Sequence, residues 1–365
     1  MGAERALIRT LTLPYESVKT LYEGDSEVRL YRNELIGELQ VGKRYDTLGL
    51  ESTVLVNEGQ LLKQIDHPQV VPVRDVVVPS GYPSPLKPVE LIMPYYERGS
   101  LADAFLAGER FTVGEAIAVL GGALLGLGEI HECYGVLHRD LKSPNLFLTG
   151  DGRLLVGDLG VAIHMDAEGG GEALPSPRLY CPPETFTIKR SDRRSDLFQM
   201  GVVLYELSSG PLPYDDPAYT TEKMAERLVR GRPAVLPRHM RSAPWVPADL
   251  RRVIRKASHV DAAQRYGTAK QMGDSLSKVR YIDWREVVAE PKLRRWEGAT
   301  ARRPDRRFAV EARRRGRSEG WVLVGQQSVN SWRRIVGRPD QIVVDLDNPQ
   351  AASFFQSIVD IATKV

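Results

Sequence analysis

An imidazole, a guanidinium, a carboxylate, an ammonium group and an amide fall within one short stretch, His138-Arg139-Asp140-Leu141-Lys142-Ser143-Pro144-Asn145. An apolar helical pattern precedes it and the apolar run Leu146-Phe147-Leu148 follows. A loop held between two buried elements can aim Asp140, Lys142 and Asn145 at one point, which suits a reaction that needs a base, a cation and a metal ligand. A second acid, Asp158, stands in Asp158-Leu159-Gly160 at the end of the short strand pattern Leu154-Leu155-Val156. Taken singly, these residues have ordinary roles as a packed histidine, a surface cation or a strand-end turn. Their order and spacing carry the signal.

The elements that must position these groups are legible from periodicity. Thr112 and Glu115 form a capping box for a helix whose apolar face runs through Ile117, Leu120, Leu124, Leu127 and Ile130 and delivers the chain to His138. Upstream, alternation from Val18 to Lys43, with turn residues at Gly24-Asp25, Asn33-Glu34 and Gly37, predicts a three-strand meander that Lys43 closes. A helical stretch then leads from Glu58 to a stop at Pro68, and the β-branched runs Val70 to Val78 and Val89 to Met93 complete a five-stranded antiparallel sheet. From His164 to Leu179 the chain is rich in Gly and Pro without periodicity, which predicts a long loop.

Composition bounds the class. A chain of 365 residues, 42% hydrophobic and 27% charged, is that of a soluble globular protein with two or three domains. The apolar runs around Ala116 to Leu127 and Val202 to Leu207 fall short of the ~20 residues of a membrane helix, so no membrane span is expected. Arg5 and Arg9 are not followed by an apolar run and a small-residue cleavage site, so no secretory signal is expected. Cys133 and Cys181 make no disulfide framework and have no metal-ligand spacing, which points to a reducing, cytoplasmic setting. The net charge is only +3, but arginines crowd the last quarter, and the basic character belongs to a separate region.

The stretch from His138 to Asn145 resembles the catalytic loop of protein kinases, and the residues around it extend the likeness. Asp158-Leu159-Gly160 is similar to the kinase metal-binding triplet, with leucine in place of the usual phenylalanine. Tyr180-Cys181-Pro182-Pro183-Glu184 resembles the motif that closes a kinase activation segment. Asp196 in Ser195-Asp196-Leu197-Phe198 matches the buried aspartate that ties down the catalytic loop, and Arg265 matches the partner of Glu184. The resemblance spans roughly Tyr15 to Val279 and is nearest to the eukaryotic-like serine/threonine kinases of bacteria. It implies an α+β bilobal kinase fold, with an antiparallel sheet lobe over 1–93 and a larger helical lobe over 94–280.

The resemblance also implies roles. Asp140 would accept or orient the proton of the acceptor hydroxyl, Lys142 would neutralise the transferring phosphate, and Asn145 with Asp158 would hold Mg2+. Lys43, braced by Glu58, would position the phosphates of ATP. The segment from Leu21 to Val28 occupies the place of the glycine-rich lid, but where kinases usually carry three glycines only Gly24 stands; Gly24 and Val28 are its nucleotide-side candidates. At the hinge, Met93 would gate the back of the adenine pocket, Pro94 would offer its carbonyl and Tyr96 its amide. Lys142 favours serine or threonine over tyrosine as acceptor, so protein substrates with Ser/Thr acceptors and autophosphorylation are implied. Arg139 beside the base suggests control by phosphorylation of the activation segment, with Ser176 and Thr185 as candidate acceptors. Two rival readings stay open: a nucleotide-binding pseudokinase scaffold, favoured by the eroded glycine lid, and a small-molecule kinase.

Past Val279 the kinase pattern stops. Residues alternating around Phe308, Val310 and Ala312, together with Trp321 to Val324 and Gln341 to Leu346, read as strands, and Asn348-Pro349 caps a final helix with Phe354, Phe355, Ile358 and Ile361 on its apolar side. A small α+β accessory domain over 281–365 is expected. Its arginines, interleaved with Trp296, Trp321 and Trp332, could bind nucleic acid or an acidic protein; the alternative is a docked domain with solvated arginines on its outer strand faces.

Overall fold

The computed structural model describes residues 15–23, 27–45, 64–77, 89–174, 178–316 and 320–364. Gly24, Glu58 and Ser176 lie outside them, as does most of the helix expected before Pro68. The chain divides into two units, Met1–Asp66 with Val71–Glu97, and His67–Val70 with Arg98–Val365.

The first unit contains the expected five-stranded antiparallel sheet. Strands β1 (Tyr15–Glu23), β2 (Glu27–Asn33), β3 (Leu39–Tyr45), β4 (Asp75–Val77) and β5 (Val89–Pro94) lie in the order β1-β2-β3-β5-β4. The fourth strand is much shorter than the apolar run from Val70 to Val78. That run is divided: Val70 bridges Val156 in the second unit, and among the described residues of the run only Asp75–Val77 pairs with β5. On one face of the sheet the Tyr31 hydroxyl donates to Glu90 Oε1 at 2.6 Å and Arg44 pairs with Glu27 at 2.7 Å. This polar layer passes over Gly42, where a Cβ would stand 2.5 Å from Glu90 Oε1 and 2.5 Å from Tyr31 Cε2. Glycine is the residue that fits beside Lys43.

In the second unit, helices α1 (Leu101–Leu106) and α2 (Val113–Glu132) lead to the stretch from His138 to Asn145, which is bracketed by short strands β6 (Val136–Leu137), β7 (Leu146–Leu148), β8 (Leu154–Val156) and β9 (Ile163–His164). Beyond them come β10 (Gly170–Glu172), α3 (Glu184–Thr187), β11 (Arg190–Asp192), α4 (Arg193–Ser209), α5 (Thr221–Val229), α6 (Ala248–Ala257) and α7 (Ala269–Leu276). Thr112 and Glu115 form the expected capping box on α2. At 20 residues and a mean hydropathy of 1.6, α2 is long and apolar enough to cross a membrane by length and composition, longer than the run from Ala116 to Leu127 implied. Its apolar side is nonetheless spent on the core of this unit: Leu120, Leu124, Leu127 and Ile130 are all buried. Gly126 lets the backbone of Gln69 approach, since a Cβ there would lie 2.6 Å from the Gln69 carbonyl oxygen, which accepts the Val156 amide at 2.8 Å. Helix α4 is buried almost all round and is the platform on which the loop from His138 to Asn145 rests.

The C-terminal strands are β12 (Arg285–Ala289), β13 (Leu293–Thr300), β14 (Arg303–Arg314), β15 (Trp321–Ser328), β16 (Arg333–Arg334) and β17 (Gln341–Val343), with helix α8 (Pro349–Thr363) capped by Asn348. They form an antiparallel sheet in the order β12-β13-β14-β15-β16, with β17 also on β15. Trp296, Phe308 and Val310 on the inner face pack with Phe354, Phe355 and Ile358 of α8 in a core of their own, the rings of Trp296 and Phe355 meeting edge to face at 5.4 Å. This core is joined to the helical part of the unit by Trp245, whose ring lies tilted against Trp296 at 5.8 Å, by Asp283 accepting the Gly114 amide at 2.8 Å, and by the Arg285–Glu115 ion pair.

The outer face of that sheet is a cross-strand ion network. Arg295 sits directly opposite Glu311, bonds it at 2.9 Å and bonds Glu297 at 2.8 Å, while Arg307 and Arg313 pair with Glu297 and Glu311. Trp332 covers the guanidiniums of Arg295 and Arg307. Much of the arginine excess is thereby matched by acids. Among the described residues, Arg302, Arg303, Arg306, Arg314, Arg315 and Arg333 have no carboxylate partner.

Candidate active site

The catalytic stretch is shaped by a strained turn and by what it takes to hold that turn. Arg139 has φ +66°, a left-handed conformation that a long side chain rarely adopts. Two residues one turn apart on α4 impose it. The Asp196 carboxylate accepts the backbone amides of His138 and Arg139, each at 2.8 Å. The Gln199 side chain accepts the Leu141 amide at 2.9 Å and donates to the Arg139 carbonyl at 3.0 Å. From α2, His131 Nε2 lies 2.8 Å from Asp196 Oδ2, and His138 Nε2 lies 2.9 Å from the Gly157 carbonyl oxygen. Burial alone would raise the Asp196 pKa; the hydrogen bond and charge of His131, then the charge and amide of His138, outweigh it and hold it below the ordinary carboxylate value.

With the backbone fixed, the polar side chains converge. Asp140 Oδ2 receives Lys142 Nζ at 2.8 Å and Asn145 Nδ2 at 3.1 Å, and Asn145 Nδ2 also donates to the Asp140 carbonyl at 2.8 Å. Asp140 Oδ1 receives Arg178 at 2.8 Å. The β7–β8 hairpin brings the second acid alongside, because the Gly157 amide donates to the Asn145 carbonyl at 3.0 Å and Asp158 is the next residue, at φ +58°. With Asn145 Nδ2 committed to Asp140, the amide oxygen is the atom left for a cation. One amide oxygen and one carboxylate suit a hard divalent ion that takes the rest of its shell from phosphate and water.

A second buried acid braces the loop from the far side. Glu206 on α4 accepts from the Tyr180 and Tyr214 hydroxyls and from Ser143 Oγ, and its Oε1 accepts the Leu212 amide at 3.0 Å. These four donors satisfy a carboxylate that has no cationic partner among the described residues. Burial and the Glu206 charge push the Tyr180 hydroxyl well above the ordinary phenol range. The segment after Tyr180 is clamped by Arg265, which bonds both Glu184 oxygens at 2.6 and 2.8 Å.

The Arg139 guanidinium donates to the carbonyls of Val161 and Glu172, at 2.6 and 2.8 Å, and so ties the activation segment to the catalytic loop. The long loop expected from His164 to Leu179 is partly regular, with β9 on β6 and β10 on β11. Of the two candidate phosphorylation sites, Thr185 is 3% exposed and so is not an accessible acceptor in this conformation. Cys181 is buried too, and burial pushes its thiol up to about 11, which removes it as a nucleophile.

In the sheet unit, register groups the expected nucleotide-side residues. Val28 lies opposite Lys43, Leu91 opposite Lys43 on the other side, and Met93 opposite Val41, so alternation puts Val28, Lys43 and Met93 on one face. Pro94 ends β5 opposite Gln40, and Tyr96 follows in the connection. Glu27, whose charge would repel phosphate, is engaged by Arg44 and Arg29.

The sequence alone does not single out His131, Gln199, Glu206, Tyr214 or Arg178, and it offers Tyr180 as part of a motif without its role as a brace. Two carried a readable signal: His131 follows Leu127 by four on the apolar face of α2, and Glu206 interrupts the apolar run from Val202 to Leu207, where a carboxylate must find donors. Nothing local marks Arg178.

The family model for the protein kinase domain matches residues 15–276. The chain belongs to the protein kinase family. It is 26% identical over 258 residues to the probable serine/threonine-protein kinase CPE1738 of Clostridium perfringens (strain 13 / Type A), an overlap of 69% of this chain and 34% of that protein. The chain thus matches about a third of that relative's length.

Proposed function

We propose that the chain is an ATP-dependent serine/threonine protein kinase that transfers the γ-phosphoryl group to Ser or Thr hydroxyls. The observation that carries this reading is the convergence of Asp140, Lys142 and Asn145 on a loop whose backbone Asp196 holds from below. Phosphoryl transfer needs little covalent chemistry from the protein and depends on positioning and charge. Asp140 accepts or orients the acceptor's proton, and Lys142, beside it, neutralises charge on the transferring group. The Asn145 amide oxygen and the Asp158 carboxylate would hold Mg2+, which would supply positive charge against the phosphates of ATP. Lys43, with Glu58 as its expected brace, positions the phosphates, Val28 and Gly24 belong to the lid, and Met93, Pro94 and Tyr96 receive the base. The test is transfer from γ-labelled ATP to a mixed Ser/Thr protein substrate, followed by phosphoamino-acid analysis. Label on serine or threonine is expected; phosphotyrosine alone or no label contradicts the proposal.

For the C-terminal sheet we propose an acidic partner, protein or nucleic acid, met by the arginines that have no acid partner among the described residues. Binding of a mixed-sequence oligonucleotide should weaken steeply with salt, its slope reporting the phosphates neutralised. A flat salt response or no binding removes nucleic acid as that partner.

A further inference from the structure

Asp140 has no uncommitted oxygen. Oδ2 is held by Lys142 and Asn145, both on the same short loop and fixed with it. Oδ1 is held at 2.8 Å by Arg178, which comes from a different segment, near the end of the loop that runs from His164 to Leu179. For Asp140 to take a proton from an acceptor hydroxyl, the hydroxyl must reach an oxygen, and Oδ1 is the one whose present partner can leave without dismantling the catalytic loop.

Arg178 is well placed to behave as a latch. Its backbone is anchored: its carbonyl accepts the Cys181 amide at 2.9 Å, and two residues on, the Tyr180 hydroxyl is buried against Ser143, Tyr214 and Glu206. Its side chain, by contrast, is 43% exposed, against 14% for Asp140. The stem is fixed and the head faces solvent beside the base. A guanidinium that leaves one carboxylate in such a place is best satisfied by another, and a carboxylate not already held by Lys142 and Asn145 can be engaged through two N–H groups at once.

We propose that Arg178 is a specificity-determining residue, which pairs with Asp140 until an acceptor segment bearing its own carboxylate next to the hydroxyl takes the guanidinium over. The partner class is an acidic peptide. An extended chain advances roughly 3.3 Å per residue, so the reach of one arginine side chain limits the carboxylate to about two residues from the acceptor. The inference rests on reading Asp140 as the base, and it adds the kind of acceptor sequence the site selects.

The experiment uses the full chain without nucleotide and two fluorescein-labelled peptides, with a central serine flanked on both sides by glutamates in one and by glutamines in the other. Anisotropy should show the glutamate peptide binding about tenfold tighter to the wild type, the scale of one charge-assisted hydrogen-bond pair. Arg178→Gln should bring the ratio close to one, Arg178→Lys should keep part of it, and Arg178→Glu should invert it when lysine replaces glutamate in the peptide. A merely structural role would move both affinities together and leave the ratio intact. A wild-type chain that binds both peptides alike or neither, or an Arg178→Gln chain that keeps the preference, overturns the proposal. Because no phosphoryl transfer is read, failure of the kinase reading would show in the labelling assay and not here.

Discussion

Asp196→Ala should cost the chain about 3–5 kcal/mol of stability and lower phosphoryl transfer by about 100-fold. The carboxylate is fully buried and accepts the amides of His138 and Arg139 while facing His131. Alanine would leave two backbone donors and an imidazole without their acceptor in a place that water does not reach. It would also release the left-handed turn at Arg139 and with it the aim of Asp140. Asparagine is expected to do little better, because its amide nitrogen would confront donors. The folded pKa of Asp196 is depressed from 3.8, so its contribution is present above that value and is lost as the pH falls below it and through the folded value. Urea midpoints across pH 3 to 7 would show it: the acid limb of the wild type should be steeper than that of Asp196→Ala. Equal midpoints at pH 7 would refute the bracing role.

The second large effect is expected at Arg265. All five of its N–H donors are spent, two on Glu184 and the others on the carbonyls of His259, Arg194 and Val260, and the side chain has no exposed surface. Arg265→Ala would strand the Glu184 carboxylate, at a cost of about 3–5 kcal/mol. Arg265→Lys is not a conservative change here, since three donors on a point charge cannot reproduce a five-donor fork. Ser195 Oγ bonds the same carboxylate at 2.8 Å, so part of Glu184's satisfaction survives. Thermal unfolding should show both variants well below the wild type with alanine the lower; a lysine variant of wild-type stability would mean that the fork geometry is unimportant.

Both sites show what the sequence makes legible. The polar density from His138 to Asn145 stands out because five functional groups in a row have no use in a helix or a strand. The bracing residues are harder to see. Asp196 and Arg265 are legible through resemblance, whereas Gln199 acts only because it lies one turn from Asp196, and Arg178 only because the fold returns its segment to the loop. In the C-terminal sheet, β14, β15 and α8 are legible from Phe308, Val310 and Ala312 and from the Asn348-Pro349 cap. The strands Arg285–Ala289 and Leu293–Thr300 are not, because Arg294, Arg295 and Glu297 crowd Trp296 and mask the period. Those charges make sense as strand residues only once the opposing Glu286 and Glu311 are seen across the sheet. The run from Val70 to Val78 misled for a related reason: one apolar stretch serves two units, and burial in either looks alike in sequence.

Asp140 is proposed as the base of the phosphoryl transfer. Its most direct test compares the wild-type chain with Asp140→Asn in single-turnover transfer from γ-labelled ATP at saturating nucleotide. Wild type should label serine or threonine, and Asp140→Asn should bind nucleotide as well but transfer at least about 100-fold more slowly. Equal rates, or no transfer by a wild-type chain that binds nucleotide, would contradict it.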